Sequence, residues 1–338
     1  MRLLLAVLAV FLILGWPGMA VAEESAAGVI DGQLILQTEN GRGLAEVDVT
    51  LLSSTDEMGG EALTTKTDGQ GRFQFAGLAT ASQYMVLVHH EGIDYYYPVV
   101  FEPGVTKVPV KMFVWDTTTS DEAVRVKLAH VIIDVAAESI SVTEILLLAN
   151  DGDRTCVSPH GTAAEGQQSV LVFTLPEGAS DFHVPSELAE GYLVPLGNGV
   201  ADTLPFPPGE RDLAYSYRLA KGDTTDFTLN LRVDYPTDRI EVMVEGGEVE
   251  VASTQLRPAE PVDTTTGERF IHLSGENLPR GATVDVCLCT SPRARGIASP
   301  VVWVIGASLI LGVGAWVAKK KLGTAISGEA GSDGDADD

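Results

Sequence analysis

The sequence predicts an all-β chain, with two tandem β-sandwich domains outside a membrane and one C-terminal transmembrane helix. Between Gly28 and Cys289, apolar residues alternate with polar ones at period two, the pattern of strands with one buried face. Turn-forming pairs, among them Asn40-Gly41 and Asp68-Gly69, separate these short segments. Roughly 275 residues lie between the two apolar ends of the chain, which is enough for two ordinary domains.

Residues 1–22 are predicted to be a secretory signal peptide. Arg2 precedes the apolar run Leu3–Leu14, and a break at Gly15–Pro17 leads to small residues at positions 20 and 22. The alternative is an uncleaved anchor helix. Because the apolar run is shorter than the roughly 20 residues that span a bilayer, we expect cleavage after Ala22.

Residues 299–318 are predicted to form one transmembrane helix that anchors the chain in the cell membrane. The segment is uncharged, has Trp303 and Trp316 near its ends, and is followed by Lys319–Lys321, a stop-transfer signal on the cytoplasmic side. The N-terminal ectodomain would then lie outside the cell. The acidic tail, residues 319–338, would be disordered and cytoplasmic.

Small residues recur at spacing four within this helix, at Ser308 and Gly312 and again at Gly314 and Ala318. Such spacing lets two helices approach closely, which would give a homodimer through the membrane helix. Glycine and alanine are common in any membrane helix, so chance spacing is the alternative.

The formal net charge of −25 limits the partners that the chain can have. The sequence has no basic stripe that could neutralise phosphates, so nucleic acid is excluded as a partner. A strongly acidic surface instead suits a soluble, self-repelling ectodomain.

The first predicted domain, residues 26–115, contains the motif T-x-T-D-x-x-G-x-F-x-F at Thr65–Phe75. Within it Asp68 can accept hydrogen bonds from the turn backbone, Gly71 can supply a positive φ, and the two phenylalanines share one face of a strand. The motif resembles that of carboxypeptidase regulatory-like domains. The resemblance implies a transthyretin-like β-sandwich that serves as an accessory or binding module and carries no catalytic residues.

We place a threonine-containing linker at residues 116–123 and a second β-sandwich domain at residues 124–290. A second threonine-rich stretch, residues 262–268, precedes only two further strands, so it is predicted to be a hairpin loop within that domain. The order of segments resembles that of membrane-anchored envelope proteins of bacteria or archaea. This resemblance implies an association with cytochrome c maturation, and it supplies no mechanism.

The three cysteines are the candidate chemical residues. Cys287 and Cys289 lie two apart in the last strand before the membrane, and the apolar residues within 284–288 mark the opposite face as the buried one, so both thiols should be accessible. One interpretation is a structural disulfide from Cys156 to either of them. The other is a redox or soft-metal site formed by Cys287 and Cys289 close to the membrane.

Catalytic motifs are absent from the sequence. There is no serine-hydrolase elbow, P-loop, Rossmann fingerprint, C-x-x-C or H-E-x-x-H. The histidines are scattered, and the adjacent pair His89-His90 would point to opposite faces of a strand. We therefore predict no catalytic residues, no cofactor and no metal site.

These features lead us to expect a non-enzymatic envelope protein whose β-domains bind a protein or polysaccharide partner during assembly of a membrane complex. The alternative is a redox or metal-handling accessory factor in the maturation of cytochrome c or a copper centre. A hydrolase is disfavoured, because the regulatory-like module is not the catalytic domain of carboxypeptidases and the sequence shows no zinc-ligand set.

Overall fold

The computed structural model describes residues 27–38, 41–53, 62–161, 168–184, 193–222, 224–245, 249–263 and 269–290. This part of the chain is all-β, which confirms the predicted fold class at that level. The predicted signal peptide, transmembrane helix, acidic tail and small-residue spacing lie outside the described residues. Across the ranges given above, no helix is long and apolar enough to cross a membrane.

The chain divides into two compact units, and each is described by itself. Of the described residues, the first unit takes those up to residue 35 together with 42–89 and 94–112. The second unit takes 36–41, 90–93 and those from 113 onward.

The first unit is built from two sheets. The strands that lie wholly or mostly in this unit are β1 (Gly28–Leu36), β2 (Arg42–Gly43), β3 (Asp48–Ser53), β4 (Leu63–Lys66), β5 (Arg72–Leu78), β6 (Gln83–His90), β7 (Ile93–Val100) and β8 (Lys107–Val114). One sheet has the order β2-β1-β5, with β8 also paired to β1, and the other has the order β4-β3-β6-β7. Alternate residues of β1 and β3, such as Ile30 and Val49, are fully buried, so the sheets bury one face each in a sandwich-like core.

The turn between β4 and β5 has the chemistry that its motif predicts. Asp68 Oδ1 accepts hydrogen bonds from the backbone N–H groups of Gln70 and Arg72, both at 2.8 Å. Gly71 has a φ of 76°, in the left-handed region. The two phenylalanines of the motif are each 5% exposed. Because β4 and β5 belong to different sheets, this turn carries the chain from one sheet to the other.

The second unit contains most of the strands. They are β9 (Thr117–Thr118), β10 (Val124–Val135), β11 (Ser139–Asn150), β12 (Thr155–Cys156), β13 (Leu171–Thr174), β14 (Ser180–His183), β15 (Leu193–Leu196), β16 (Gly199–Asp202), β17 (Gly209–Ala220), β18 (Asp226–Arg232), β19 (Thr237–Glu245), β20 (Val249–Ala252), β21 (Arg257–Pro258), β22 (Val262–Asp263), β23 (Arg269–Leu278) and β24 (Thr283–Thr290).

A large sheet with the order β14-β17-β11-β10-β19-β23-β21 forms the frame of the second unit. Its strands pair antiparallel except for β10 and β19, which run parallel. Two smaller sheets, β13-β16-β15 and β18-β24-β20, contribute to the same apolar core. In that core Val142 and Tyr215 of the large sheet join Phe173 and Val286 of the small ones. The second unit is therefore also sandwich-like.

Paired strands occur in both threonine-rich stretches. Residues 116–123, predicted to be a linker, include the strand β9, which pairs in parallel with β12. These residues are thus part of the second unit rather than a plain connection, as the strand propensity of threonine allows. In the second stretch, β22 and β23 pair antiparallel, and residues 264–268 between them lie outside the described residues.

Candidate functional site

The predicted cysteine pair lies on β24, the central strand of its sheet. Its apolar residues Val284, Val286 and Leu288 are fully buried. On the opposite face Cys287 is half-buried and Cys289 is exposed, which confirms the predicted assignment of the two faces. Because the two cysteines are two residues apart in one strand, both thiols lie on the same accessible surface.

The surroundings of Cys289 are acidic. Its backbone neighbours are Asp226 on β18 and Glu250 on β20. A hydrogen bond to the Asp226 carboxylate raises the pKa of the Cys289 thiol, and burial and the nearby Cys287 and Glu250 add to this. A raised pKa lowers the thiolate fraction, and the thiolate is the form that attacks disulfides. This environment disfavours fast thiol exchange at Cys289.

The third cysteine, Cys156, lies in a different sheet. It is buried on β12, and its backbone N–H donates to the carbonyl of Phe206 at 2.9 Å. Burial raises the pKa of its thiol to about 11. All three cysteines are free thiols, so the structure brings Cys287 and Cys289 to one surface and does not join Cys156 to either.

A small cavity of about 50 Å³ lies inside the second unit, beside Glu144. Glu144 is on β11, and its two carboxyl oxygens accept hydrogen bonds from the hydroxyls of Tyr215, at 3.0 Å, and Tyr217, at 2.9 Å. Both tyrosines are on the adjacent strand β17. A volume of this size holds a few water molecules and no larger ligand.

The carboxyl group of Glu144 titrates near neutral pH. Its position deep in the domain raises its pKa from the ordinary 4.5 to about 7, against the opposing effect of the hydrogen bonds from Tyr217 and Tyr215. The nearby carboxylate of Asp234 adds to the rise. Glu144 as a whole is half-buried, and it lines the cavity.

Asp234 closes one side of the same cavity. It accepts hydrogen bonds from the backbone N–H of Thr174, at 2.6 Å, from the Thr174 hydroxyl, at 3.0 Å, and from Nε of Arg232, at 3.1 Å. These bonds tie β13 to the segment after β18. The polar groups around the cavity therefore hold strands together.

A buried ion pair lies elsewhere in the second unit. Asp202 is fully buried, and its Oδ2 lies 3.2 Å from Nη2 of Arg211, itself 8% exposed. The Arg211 guanidinium also packs 4.4 Å from the ring centroid of Phe206. Burial raises the pKa of Asp202, and the charge of Arg211 opposes that rise.

An open groove of about 680 Å³ lies on the first unit. Its floor is the polar face of β1, β5 and β8, and β4 forms one rim. Its charged side chains are Asp31, Lys66, Asp68, Arg72 and Lys111, and its amides are Gln33 and Gln74. The volume falls within the roughly 300–1,000 Å³ of ligand clefts.

Hydrogen bonds order the acidic side of this groove. The Asp31 carboxylate accepts from Nε2 of Gln74 at 2.5 Å and forms an ion pair with Lys107. These contacts, the Gln74 bond first, hold the pKa of Asp31 below its usual value. At neutral pH the groove thus presents fixed anionic, cationic and amide groups side by side.

The groove and the interior cavity were both missed from the sequence. One signal for the cavity was readable: Glu144 lies at period two with Ile140, Val142 and Leu146, so a carboxylate occupies the apolar face of β11. Its partner Tyr215 is 71 residues away along the chain, so no local sequence pattern predicts the hydrogen bond between them.

Comparisons with known proteins do not assign the chain to a family. No family model matches the chain, and no curated protein matches it. Among solved structures, one that is similar is a two-domain M1 zinc metallopeptidase variant bound to L-tryptophan, with a TM-score of 0.32 and 13% identity. The match covers 49% of this chain and 42% of that one, so this chain spans less than half of that structure. At this TM-score the likeness assigns no family and no activity.

Proposed function

We propose that the chain is a non-enzymatic, membrane-anchored envelope protein that binds a polysaccharide or protein partner through the groove of its first unit. The observation that carries this proposal is the open groove of about 680 Å³, lined by charges of both signs and by amides. Sugar hydroxyls and peptide groups both donate and accept hydrogen bonds, so a surface that combines carboxylates, cations and amides can bind either class.

The finer architecture is part of the same proposal. Two tandem β-sandwich domains, at residues 26–115 and 124–290, would stand outside the cell, and the helix at 299–318 would anchor them. The observed chemistry of the Asp68 turn supports a carboxypeptidase regulatory-like first domain, since its hydrogen bonds and the positive φ of Gly71 are those that the motif requires. A module of that kind fits a binding role.

Capture experiments with the full chain in detergent test this function. Immobilised protein is incubated separately with purified envelope polysaccharide and with an envelope protein extract. The groove variant Lys66→Glu/Lys111→Glu reverses two charges of the groove, whereas Lys221→Glu/Arg257→Glu makes the same change of charge on the second unit. We expect the groove variant to lose at least about tenfold in capture, equivalent to about 1.4 kcal/mol, and the control to retain it.

Two outcomes would remove the proposal. One is recovery of nothing but the protein itself from both mixtures. The other is equal capture by the groove variant and by the unaltered chain. Binding in only one of the two mixtures would identify the partner as a polysaccharide or as a protein.

A second candidate function, a redox or soft-metal accessory factor, draws support from the shared accessible face of Cys287 and Cys289. The raised pKa of Cys289 weighs against both forms of this idea, because the thiolate is the nucleophile in thiol exchange and also the metal ligand, so a bound Cu(I) would have to displace the thiol proton. Titration of the full chain with Cu(I) tests it, using Cys287→Ser/Cys289→Ser as the variant. The idea fails if the double variant binds Cu(I) as the unaltered chain does, or if mass spectrometry finds both thiols locked in a stable disulfide.

A further inference from the structure

Three potential metal ligands meet in the second unit, and none of them belongs to the groove or to the cysteine pair of β24. They are the imidazole of His90, at the end of β6, the carboxylate of Glu91, which follows it, and the carboxylate of Asp116, just before β9. One ligand atom from each lies within 4.8 Å of the other two. In the part of the chain that the structure describes, no other set of three such groups meets this condition.

The spacing between two of these atoms suits chelation. His90 Nε2 lies 3.4 Å from Asp116 Oδ1, which is long for a charge-assisted hydrogen bond. Two ligands on a tetrahedral Zn²⁺, each bonded at about 2.0–2.1 Å, are separated by about 3.3–3.4 Å. The two atoms therefore already stand at the separation that a shared zinc ion would require.

The neighbouring histidine shows what an ordinary pair looks like in the same segment. His89 Nδ1 lies 2.7 Å from Asp94 Oδ1, a direct hydrogen bond, and the two side chains are 66% and 50% exposed. The His90 and Asp116 side chains are only 17% and 24% exposed. Of these two pairs, only His90 and Asp116 are largely buried and lie farther apart than a direct hydrogen bond requires.

Contacts behind the ligands hold them in place. Oε2 of Glu91 accepts hydrogen bonds from the backbone N–H of Thr117, at 2.6 Å, and from its hydroxyl, at 3.1 Å. The backbone N–H of Asp116 donates to Oγ1 of Thr38 at 2.8 Å, and its carbonyl accepts from the N–H of Thr155 at 2.9 Å. Fixed outer partners of this kind orient the ligands of protein metal sites.

We propose that His90, Glu91 and Asp116 bind a divalent transition-metal cation, best matched by Zn²⁺, with water completing the coordination. Imidazole and carboxylate together are a ligand set typical of Zn²⁺, and three protein ligands leave one tetrahedral position for water. Arg154 approaches the other oxygen of Asp116, at 3.7 Å, so it neutralises part of the local negative charge without occupying Oδ1. The cation would fasten the end of β6 and the turn that follows it to the start of β9.

Calorimetric titration of the metal-stripped full chain with Zn²⁺ tests the site. The measurement is made in the Cys287→Ser/Cys289→Ser background, so that the two accessible thiols do not bind the ion, and with excess Mg²⁺ to occupy the many surface carboxylates. We expect one Zn²⁺ per chain. His90→Gln and Asp116→Asn should weaken binding by more than about tenfold, and Thr117→Val, which removes one outer hydrogen bond, by about tenfold.

His89→Gln is the matched control, because it removes the adjacent exposed histidine and leaves the three ligands in place. It should bind Zn²⁺ as the parent chain does. The absorption spectrum of the Co²⁺-substituted protein gives a second readout, since the parent and His89→Gln should show a tetrahedral spectrum that His90→Gln lacks. The proposal is overturned if the parent binds no Zn²⁺ under these conditions, or if His89→Gln and His90→Gln weaken binding equally.

Discussion

The carboxyl groups of the first-unit groove and those inside the second unit show opposite behaviour. In the groove, donors lower the pKa of Asp31, through the Gln74 amide first, and of Asp68, through the backbone N–H groups of the turn. Inside the second unit, burial raises the pKa of Glu144 to about 7 and also raises that of Asp202. The chemical group is the same, and its access to water and donors decides the direction.

This difference separates a binding surface from a structural interior. The groove carboxylates stay ionised at neutral pH and lie in the same open groove as the exposed cations Lys66 and Lys111, where a bound ligand can replace water. The interior carboxyls already use their oxygens on Tyr215, Tyr217 and Arg211. We therefore expect changes in the groove to alter binding, and changes in the interior to alter stability.

The largest effect should come from breaking the buried ion pair of the second unit. Asp202→Asn leaves the charge of Arg211 buried without its counterion, which should cost about 3–5 kcal/mol in the free energy of unfolding. The comparison variant, Lys107→Met, removes the exposed partner of the groove residue Asp31 and should cost less than about 1 kcal/mol. Chemical denaturation of the full chain measures the loss in free energy of unfolding for each variant. Equal losses would contradict the distinction between a structural interior and a binding surface.

The pH dependence of stability should follow Glu144. Below about pH 4.5 its carboxyl is protonated in both the folded and the unfolded chain. Between about pH 4.5 and 7 unfolding releases that proton, so the free energy of unfolding falls as pH rises, by about 3 kcal/mol in all, and the loss levels off above about pH 7.

Glu144→Gln should flatten this part of the pH profile, because glutamine stays neutral. The control Glu210→Gln removes an exposed carboxylate paired with Lys127 and should leave the slope unchanged. Denaturant unfolding at several pH values, followed by circular dichroism, gives the comparison. An unchanged slope in Glu144→Gln would show that Glu144 does not carry the pH dependence.

The smallest effect on stability is expected in the groove itself. Lys66→Glu replaces the exposed ion pair with Asp48 by two like charges, and Lys111→Glu changes another exposed side chain, so the free energy of unfolding should fall by only about 1 kcal/mol in all. Thermal unfolding of the variant checks this directly. A much larger loss would mean that weakened capture reflects damage to the fold.

Local features of the fold could be predicted from the sequence. The alternation in β24 assigned Val284, Val286 and Leu288 to the core and the two thiols to the other face. Such predictions succeed because period two and turn chemistry are properties of a few neighbouring residues.

Features that depend on distant pairing could not be predicted. The parallel pairing of β10 with β19 joins strands about 110 residues apart. The meeting of Asp116 with His90 and Glu91 likewise depends on tertiary structure. Within residues 116–123, interpreted as a linker, Thr117 and Thr118 pair with β12, a pairing that no local pattern predicts because threonine is common in turns and in strands alike.

The central claim is that a partner binds in the groove of the first unit. Hydrogen–deuterium exchange of the full chain, with and without the polysaccharide or protein that it captures, tests this claim most directly. The account predicts slower exchange in β1, β5 and β8, which form the groove floor, and unchanged exchange in β18, β20 and β24. Protection confined to the strands around Cys287, with none in the groove, would contradict it.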